Sequence, residues 1–345
     1  MRDIPYKQLQ STPLRWPSVY DLKKVWNPPW FQGRNKRTKY FEGWYFKQVD
    51  ASARQSLSVI PGISLNKGKP HAFIQLIAGH TGETHYFSYP LEAFSYASDR
   101  FAIRLGDSSF SDHHLSLNVK EDGQEITGQL NFSGQQRFPV SLRRPGIMGW
   151  YRYVPFMECY HGVVSMNHGI TGSVSLNGQG MDFTGGKGYV EKDWGSSMPE
   201  SWIWSQCNHF GKDDTSLMLS IARIPWIGKS FPGFLGFFLL EGKAYHFATY
   251  TGARIKHLSH EDGQVDICIE DKHHLWHILG EKQGGTAGKG ALKAPNAGQM
   301  DRVIHESVNA RLHVVLMDKK RRVLFRGSGQ PAGLEMVGDT SLLQP

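Results

Sequence analysis

Apolar and polar residues alternate in steps of two along most of the chain, as in Phe101-Ala-Ile-Arg-Leu105, Leu115-Ser-Leu-Asn-Val119 and Val265-Asp-Ile-Cys-Ile269. This is the period of a strand with one buried face. Turn-forming tetrads separate the runs: Glu121-Asp-Gly-Gln124, Asn177-Gly-Gln-Gly180 and Glu261-Asp-Gly-Gln264. The pattern predicts successive antiparallel hairpins. Up to about Thr38 the prolines Pro5, Pro13, Pro17, Pro28 and Pro29 exclude an interior strand and predict an irregular N-terminal arm. Gly284-Gly-Thr-Ala-Gly-Lys-Gly290 reads as a loop. It is not a phosphate loop, because the spacer before Gly-Lys is one residue short and Gly290 stands where Ser or Thr is required.

Sliding the chain against itself aligns Glu42-Gly-Trp-Tyr-Phe-Lys-Gln48 with Glu200-Ser-Trp-Ile-Trp-Ser-Gln206, and Phe73–Ala78 roughly with Phe234–Leu240. An offset near half the chain length predicts a duplicated β-domain. We therefore expect an all-β protein of two tandem antiparallel barrels, residues 1–180 with the arm and residues 181–345. A small closed sheet of this kind is lipocalin-like and leaves a cavity for one ligand. Two sandwiches with filled cores are the alternative.

Composition sharpens this picture. Among 345 residues, 39% are hydrophobic, 12% aromatic and 20% charged, with 38 glycines and 17 prolines, which suits short strands and tight turns and excludes disorder and coiled coils. Phe231–Leu240, the nearest approach to a membrane span, is short and broken by Pro232, Gly233 and Gly236. The first twenty residues lack the apolar core of a secretory leader, so a cytoplasmic location is expected. Cys159, Cys207 and Cys268 are scattered and suggest neither a disulfide framework nor a zinc site. The net charge of +8 would attract anionic surfaces. Its densest cluster, Lys319-Lys-Arg-Arg322, lies between VVLM and VLF and reads as a hairpin turn, so no nucleic-acid partner is expected.

The richest segment runs from Gly186 to Phe210. If 188–194 is extended, Tyr189, Glu191 and Asp193 share one face, with the two carboxylates about 6 to 7 Å apart. Close carboxylates raise each other's pKa, so one can store a proton for general-acid work; pairing with Lys187, Lys192 or an arginine is the structural alternative. Farther on, Trp202, Trp204, Gln206 and Asn208 share a face, and Glu42, Trp44, Phe46 and Gln48 share another. Indoles beside amides suit a ligand pocket, and aromatic faces can stabilise a carbocation; core packing explains them equally well. His273 and His277 share a face but lie about 13 Å apart on a strand, too far to chelate one ion, so no metal is expected. Neither a G-x-S-x-G elbow nor a dinucleotide fingerprint is present.

These residues resemble the tocopherol cyclase family. The resemblance rests on Phe41-Glu-Gly-Trp-Tyr-Phe-Lys47, Tyr189-Val-Glu-Lys-Asp-Trp-Gly195 with Pro199-Glu-Ser-Trp-Ile-Trp-Ser-Gln-Cys-Asn208, Leu292-Lys-Ala-Pro295 and Ala332-Gly-Leu-Glu335, in order along nearly the whole chain. It implies a tandem lipocalin-like fold, distantly similar to carotenoid hydratases, acting on a prenylated lipid without a cofactor. In the family reaction an enzyme acid protonates the prenyl alkene of a hydroquinone, and the phenol oxygen traps the tertiary cation to close a chromanol ring. The resemblance implies Glu191 or Asp193 as the acid. It implies Glu42, Trp44, Tyr45, Tyr189, Trp194, Trp202, Trp204, Gln206 and Asn208 as substrate contacts. Plant-type members read Glu-Lys-Asn-Trp-Gly, so Asp193 departs from their pattern, which favours Glu191.

Two other readings use the same cavity: a lipid or prenylquinone carrier without chemistry, and a hydratase in which water traps the cation. A hydrophobic small molecule or lipid is the expected partner. Membrane-surface contact is expected through Ile224–Leu235, where aromatic residues accompany Lys229.

Overall fold

The structure is a computed structural model that describes residues 6–9, 18–79, 81–121, 123–283 and 289–344. Pro5, Pro13 and Pro17 of the arm, Asp122 and most of the Gly284–Gly290 loop lie outside these residues. The chain divides into two compact units. Unit 1 comprises residues 1–77, 84–198 and 293–303; unit 2 comprises 78–83, 199–292 and 304–345.

The first sheet contains β1 (Tyr6–Gln8), β2 (Tyr40–Val49), β3 (Ser56–Leu65), β4 (His71–Ala78), β5 (Glu83–Tyr89), β6 (Phe94–Ala97) and β7 (Ala102–Leu105). It continues with β8 (Ser108–Ser111), β9 (His114–Glu121), β10 (Gln124–Ser133), β11 (Cys159–Leu176), β12 (Gln179–Asp182) and β13 (Lys187–Gly195). The order is β1-β6-β7-β8-β9-β10-β11-β13-β2-β3-β4-β5, with β12 beside β11. The second sheet contains β14 (Trp202–Cys207), β15 (Ser216–Trp226), β16 (Lys229–Leu240), β17 (Lys243–Ala248), β18 (Arg254–Glu261) and β19 (Gln264–Glu270). It is completed by β20 (His274–Glu281), β21 (Lys289–Asn296), β22 (Gln299–Asp318) and β23 (Val323–Val337), in the order β17-β16-β15-β14-β23-β22-β20-β19-β18 with β21 beside β22. In both units the first long strand pairs with the last, β2 with β13 and β14 with β23, and a four-strand meander runs outward from it. The strands β4 and β16, which hold Phe73–Ala78 and Phe234–Leu240, take the same place.

Both sheets roll up, and ring contacts prove it. Phe46 on β2 and Phe110 on β8 lie five strands apart in the sheet, about 24 Å if it were flat. Their ring centroids are 5.8 Å apart. Phe247 on β17 and Trp276 on β20 lie six strands apart yet approach to 4.6 Å. The architecture is thus all-β and lipocalin-like in both units. The one α-helix among the described residues is short, α1 (Val19–Lys23), capped by Ser18, whose hydroxyl and backbone exchange bonds with Asp21. No helix among them is long and apolar enough to cross a membrane.

Two expectations need correction. A boundary at 180/181 assigns β13 to the second half, but β13 is hydrogen-bonded between β11 and β2 in the first sheet, and the units divide after Met198. The seven-residue repeat is out of register. Trp44 points inward against Phe31, Phe94 and Phe101, whereas Trp202 alternates with Ile203 and Cys207, which belong to the core of unit 2. A one-residue slip inverts a strand's faces, so the matched tryptophans are not equivalent. The basic turn expected at 319–322 does join β22 to β23. With Lys272 and His273 it lines an open cleft of about 580 Å³.

Candidate active site

Strand β13 has two chemically different faces. Lys192 and Trp194 point to the same side as Glu42 and Trp44 of β2, since the registers are Lys192 with Trp44 and Trp194 with Glu42. There Lys192 forms a fully buried ion pair with Glu42. The Glu42 carboxylate also accepts the Tyr40 hydroxyl at 2.6 Å and the backbone N–H groups of Gln32 and Gly33 at 2.8 and 2.9 Å. The Lys192 ammonium donates to the Trp30 carbonyl at 2.9 Å and lies 4.5 and 4.7 Å from the ring centres of Trp44 and Trp194. Burial pushes Lys192 down and Glu42 pulls it back, leaving it at about 8 and charged at neutral pH. Burial, then Glu42, holds the Tyr40 phenol far above its ordinary range.

This arrangement changes the expected roles of Glu42, Trp44 and Trp194. The cation facing those two indoles is Lys192, so their quadrupoles are already engaged, and Glu42 is saturated by four partners, Lys192, Tyr40, Gln32 and Gly33. They build the interior of unit 1.

On the opposite face of β13 lie Tyr189, Glu191 and Asp193, with Tyr45 as the register partner of Glu191. Tyr45 is tied through its hydroxyl to Ser58, 2.9 Å away. Pairing of β11 with β13 brings a residue that the sequence did not single out: His161 is the direct partner of Asp193. Its Nδ1 is 2.9 Å from an Asp193 oxygen, and its Nε2 is 3.4 Å from Glu191 Oε2. Tyr189 donates to that same Glu191 oxygen at 2.5 Å. An i, i+2 carboxylate pair on a strand leaves a gap that one imidazole can span, and here it does. Glu191 is 4% exposed and Asp193 half-buried.

Electrostatics make the cluster a proton store. Burial alone would lower His161, but Asp193, Glu191 and the hydrogen bond to Asp193 outweigh it and raise the imidazole to about 9. It is therefore a cation at neutral pH. Burial, then the neighbouring Glu191, pushes the Tyr189 phenol far up, so it stays a donor. The ligating atoms of His161, Glu191 and Asp193 lie within 4.8 Å of one another, so the trio could also hold a metal ion. A second such trio in unit 2, Asp266, Cys268 and His277, takes the place of the rejected His273–His277 pairing.

Trp202, Trp204 and Gln206 belong to unit 2, on the side of β14 away from its core. Asn208 follows that strand and meets His209 Nδ1 at 2.9 Å. Trp202 donates its indole N–H to Glu335 at 2.5 Å, and Glu335 is the cross-strand partner of buried Glu306. Glu306 was not apparent from the sequence, although Glu335 closes the Ala332–Glu335 block.

Residues 133–338, more than half of the chain and all four members of the His161 cluster, match the family model described as tocopherol cyclase-like. The chain is 31% identical over 163 residues to the probable chloroplastic tocopherol cyclase of Oryza sativa subsp. japonica, covering 45% of this chain and 33% of that protein. It is 32% identical, with the same coverage, to the chloroplastic tocopherol cyclase of Zea mays. The match thus spans about a third of the length of these curated relatives. The crystal structure of CghA with Sch210972 shares the fold, with a TM-score of 0.56 over 96% of each chain at 11% identity. On the match to residues 133–338, which contain the quoted block from Tyr189 to Asn208, the chain belongs to the tocopherol cyclase-like family.

Proposed function

We propose that the protein is a cofactor-independent cyclase that converts a prenylated hydroquinone to a chromanol, with the Asp193–His161–Glu191–Tyr189 cluster as its acid–base group. The observation that carries this reading is the buried imidazole clamped between two carboxylates, inside the segment that matches the family. Protonating an alkene needs a strong acid. An imidazolium at about 9 is some five pKa units weaker than an ordinary carboxylic acid, a handicap of about 7 kcal/mol. Glu191 is therefore the donor in this reading. Asp193 fixes the His161 ring through Nδ1, and Tyr189 fixes the Glu191 carboxyl. These two are positioning residues.

The step balances as an isomerisation. Glu191–H gives its proton to the less substituted alkene carbon, the phenol oxygen bonds to the tertiary cation, and the phenol proton returns to the Glu191 carboxylate. Above about 9 the His161 imidazole loses the proton and the charge it holds between Glu191 and Asp193.

The test is incubation of the full chain with a panel of prenylated hydroquinones, followed by chromatography and mass spectrometry. An isobaric chromanol is expected, reduced about 10²- to 10⁴-fold in Glu191→Gln and unaffected by EDTA. A product heavier by one water supports a hydratase instead, and ligand retained unchanged supports a carrier. Loss of turnover on chelation contradicts the proton-store reading in favour of a metal on the same trio.

A further inference from the structure

Ten large apolar side chains are exposed among the described residues, and seven of them fall in two segments of unit 1. Val19 and Leu22 stand on α1, 68% and 61% exposed. Val140, Leu142, Trp150, Tyr153 and Phe156 stand in the irregular connection between β10 and β11, with Leu142 at 77%. Its one regular element is a 3-10 helix, Gly149–Tyr153, and long, largely irregular connections in a compact unit are usually functional. The two segments are tied together within unit 1. The Trp26 indole N–H donates to the Tyr153 hydroxyl at 3.1 Å, and that hydroxyl donates to the Leu142 carbonyl at 2.5 Å. Arg152 donates to Gln32 at 2.6 Å.

The charge follows the same map. Residues 18–39 and 137–158 hold ten of the chain's 39 lysines and arginines but only two of its 31 acids, Asp21 and Glu158, so the remaining 29 of each sign cancel. The entire surplus of +8 sits in these two segments. Lys24 pairs with Asp21 and Arg137 with Asp112, but Lys23, Lys36, Lys39 and Arg143 also stand exposed. By contrast, the basic turn at 319–322 has Lys319 paired with Glu270 and Arg322 with Asp318.

We propose that this surface of unit 1, built from residues 18–39 with the connection 137–158, docks on a bilayer containing anionic phospholipid. Cations answer the headgroup phosphates, and the aliphatic and aromatic side chains enter the boundary beneath them. A nucleic acid would satisfy the cations but leave Val19, Leu22 and Leu142 in water, with an exposed apolar patch unexplained. The segment expected from the sequence, Ile224–Leu235, is instead a β15–β16 hairpin. There Trp226 and Phe231 pack edge to face at 6.4 Å, and Ile227 alone of its large apolar residues is fully exposed.

The test is co-sedimentation of the full chain with vesicles of phosphatidylcholine alone or mixed with phosphatidylglycerol, at low and high salt. Binding is expected to the mixed vesicles and to weaken with salt. Leu142→Ser with Phe156→Ser, and independently Arg137→Ala with Arg143→Ala, should each lower partitioning about tenfold or more, with melting temperatures unchanged. Ile227→Ser should leave it unaltered. Equal binding to both vesicles, or partitioning unaffected by both pairs, overturns the proposal. Loss of duplex DNA binding in the arginine pair while vesicle binding persists overturns it in favour of nucleic acid. The vesicles hold no quinol, so failure here leaves the reading of the Glu191 cluster standing.

Discussion

Unit 1 and unit 2 share one strand order but fill it differently. Unit 2 packs an extended apolar cluster, with Ile203, Leu217, Leu219 and Ile221 beside Phe247, Trp276 and Val314, and keeps buried Glu306 and Glu335 on its last two long strands. At the matching place in unit 1, where the first long strand meets the last, the inward side carries the Lys192–Glu42 pair and the other side carries His161 between Glu191 and Asp193. An alternating pattern is enough to roll either sheet. The chemistry depends on which polar residues occupy the paired first and last strands, and on what a third strand, here β11, brings beside them.

The largest difference should appear on removing Lys192. Lys192→Met leaves Glu42 buried without its cation and should cost about 3 to 5 kcal/mol. Leu219→Ala in unit 2 should cost a comparable amount, about 2 to 5 kcal/mol, through the cavity it leaves. Urea melts of the two variants against the wild-type protein measure both losses. Next comes His161. Its folded-state value of about 9 lies above the ordinary 6.5, so its contribution is complete below pH 6.5 and lost as pH rises to 9. The loss reaches up to ~3 kcal/mol, and His161→Asn should flatten the profile between pH 6.5 and 8, before Lys192 titrates. Buried His168 has the opposite sign. Burial lowers it to about 3, so it removes stability as pH falls below 6.5. The smallest effect is expected in unit 2, where Trp202→Phe takes the indole N–H from Glu335 and should cost about 1 to 3 kcal/mol in thermal melts, with no slope between pH 6.5 and 8.

Much of the fold was legible because alternation and turn residues are local. Asn177-Gly178 and Asp262-Gly263 sit in turns with positive φ, as their side chains allow. Glu191 and Asp193 were legible as same-face carboxylates by the same period. His161 was not, because it lies thirty residues earlier and becomes their neighbour only through the pairing of β11 with β13. Trp44 and Trp202 misled for the complementary reason. Three matching residue types in seven carry no information about which face each strand turns inward, and β2 and β14 turn opposite ones. The β10–β11 connection was silent because exposed apolar residues in a loop have no period to announce them.

The central claim is that the imidazole of His161 is held charged between two carboxylates. It is tested most directly by an NMR titration of the histidine side chains in the full chain, with His161 assigned through His161→Asn. The account predicts a His161 pKa near 9, falling toward 6.5 in Asp193→Asn and by a smaller step in Glu191→Gln. A His161 that titrates at or below 6.5 in the wild-type protein, or that ignores both substitutions, would contradict it.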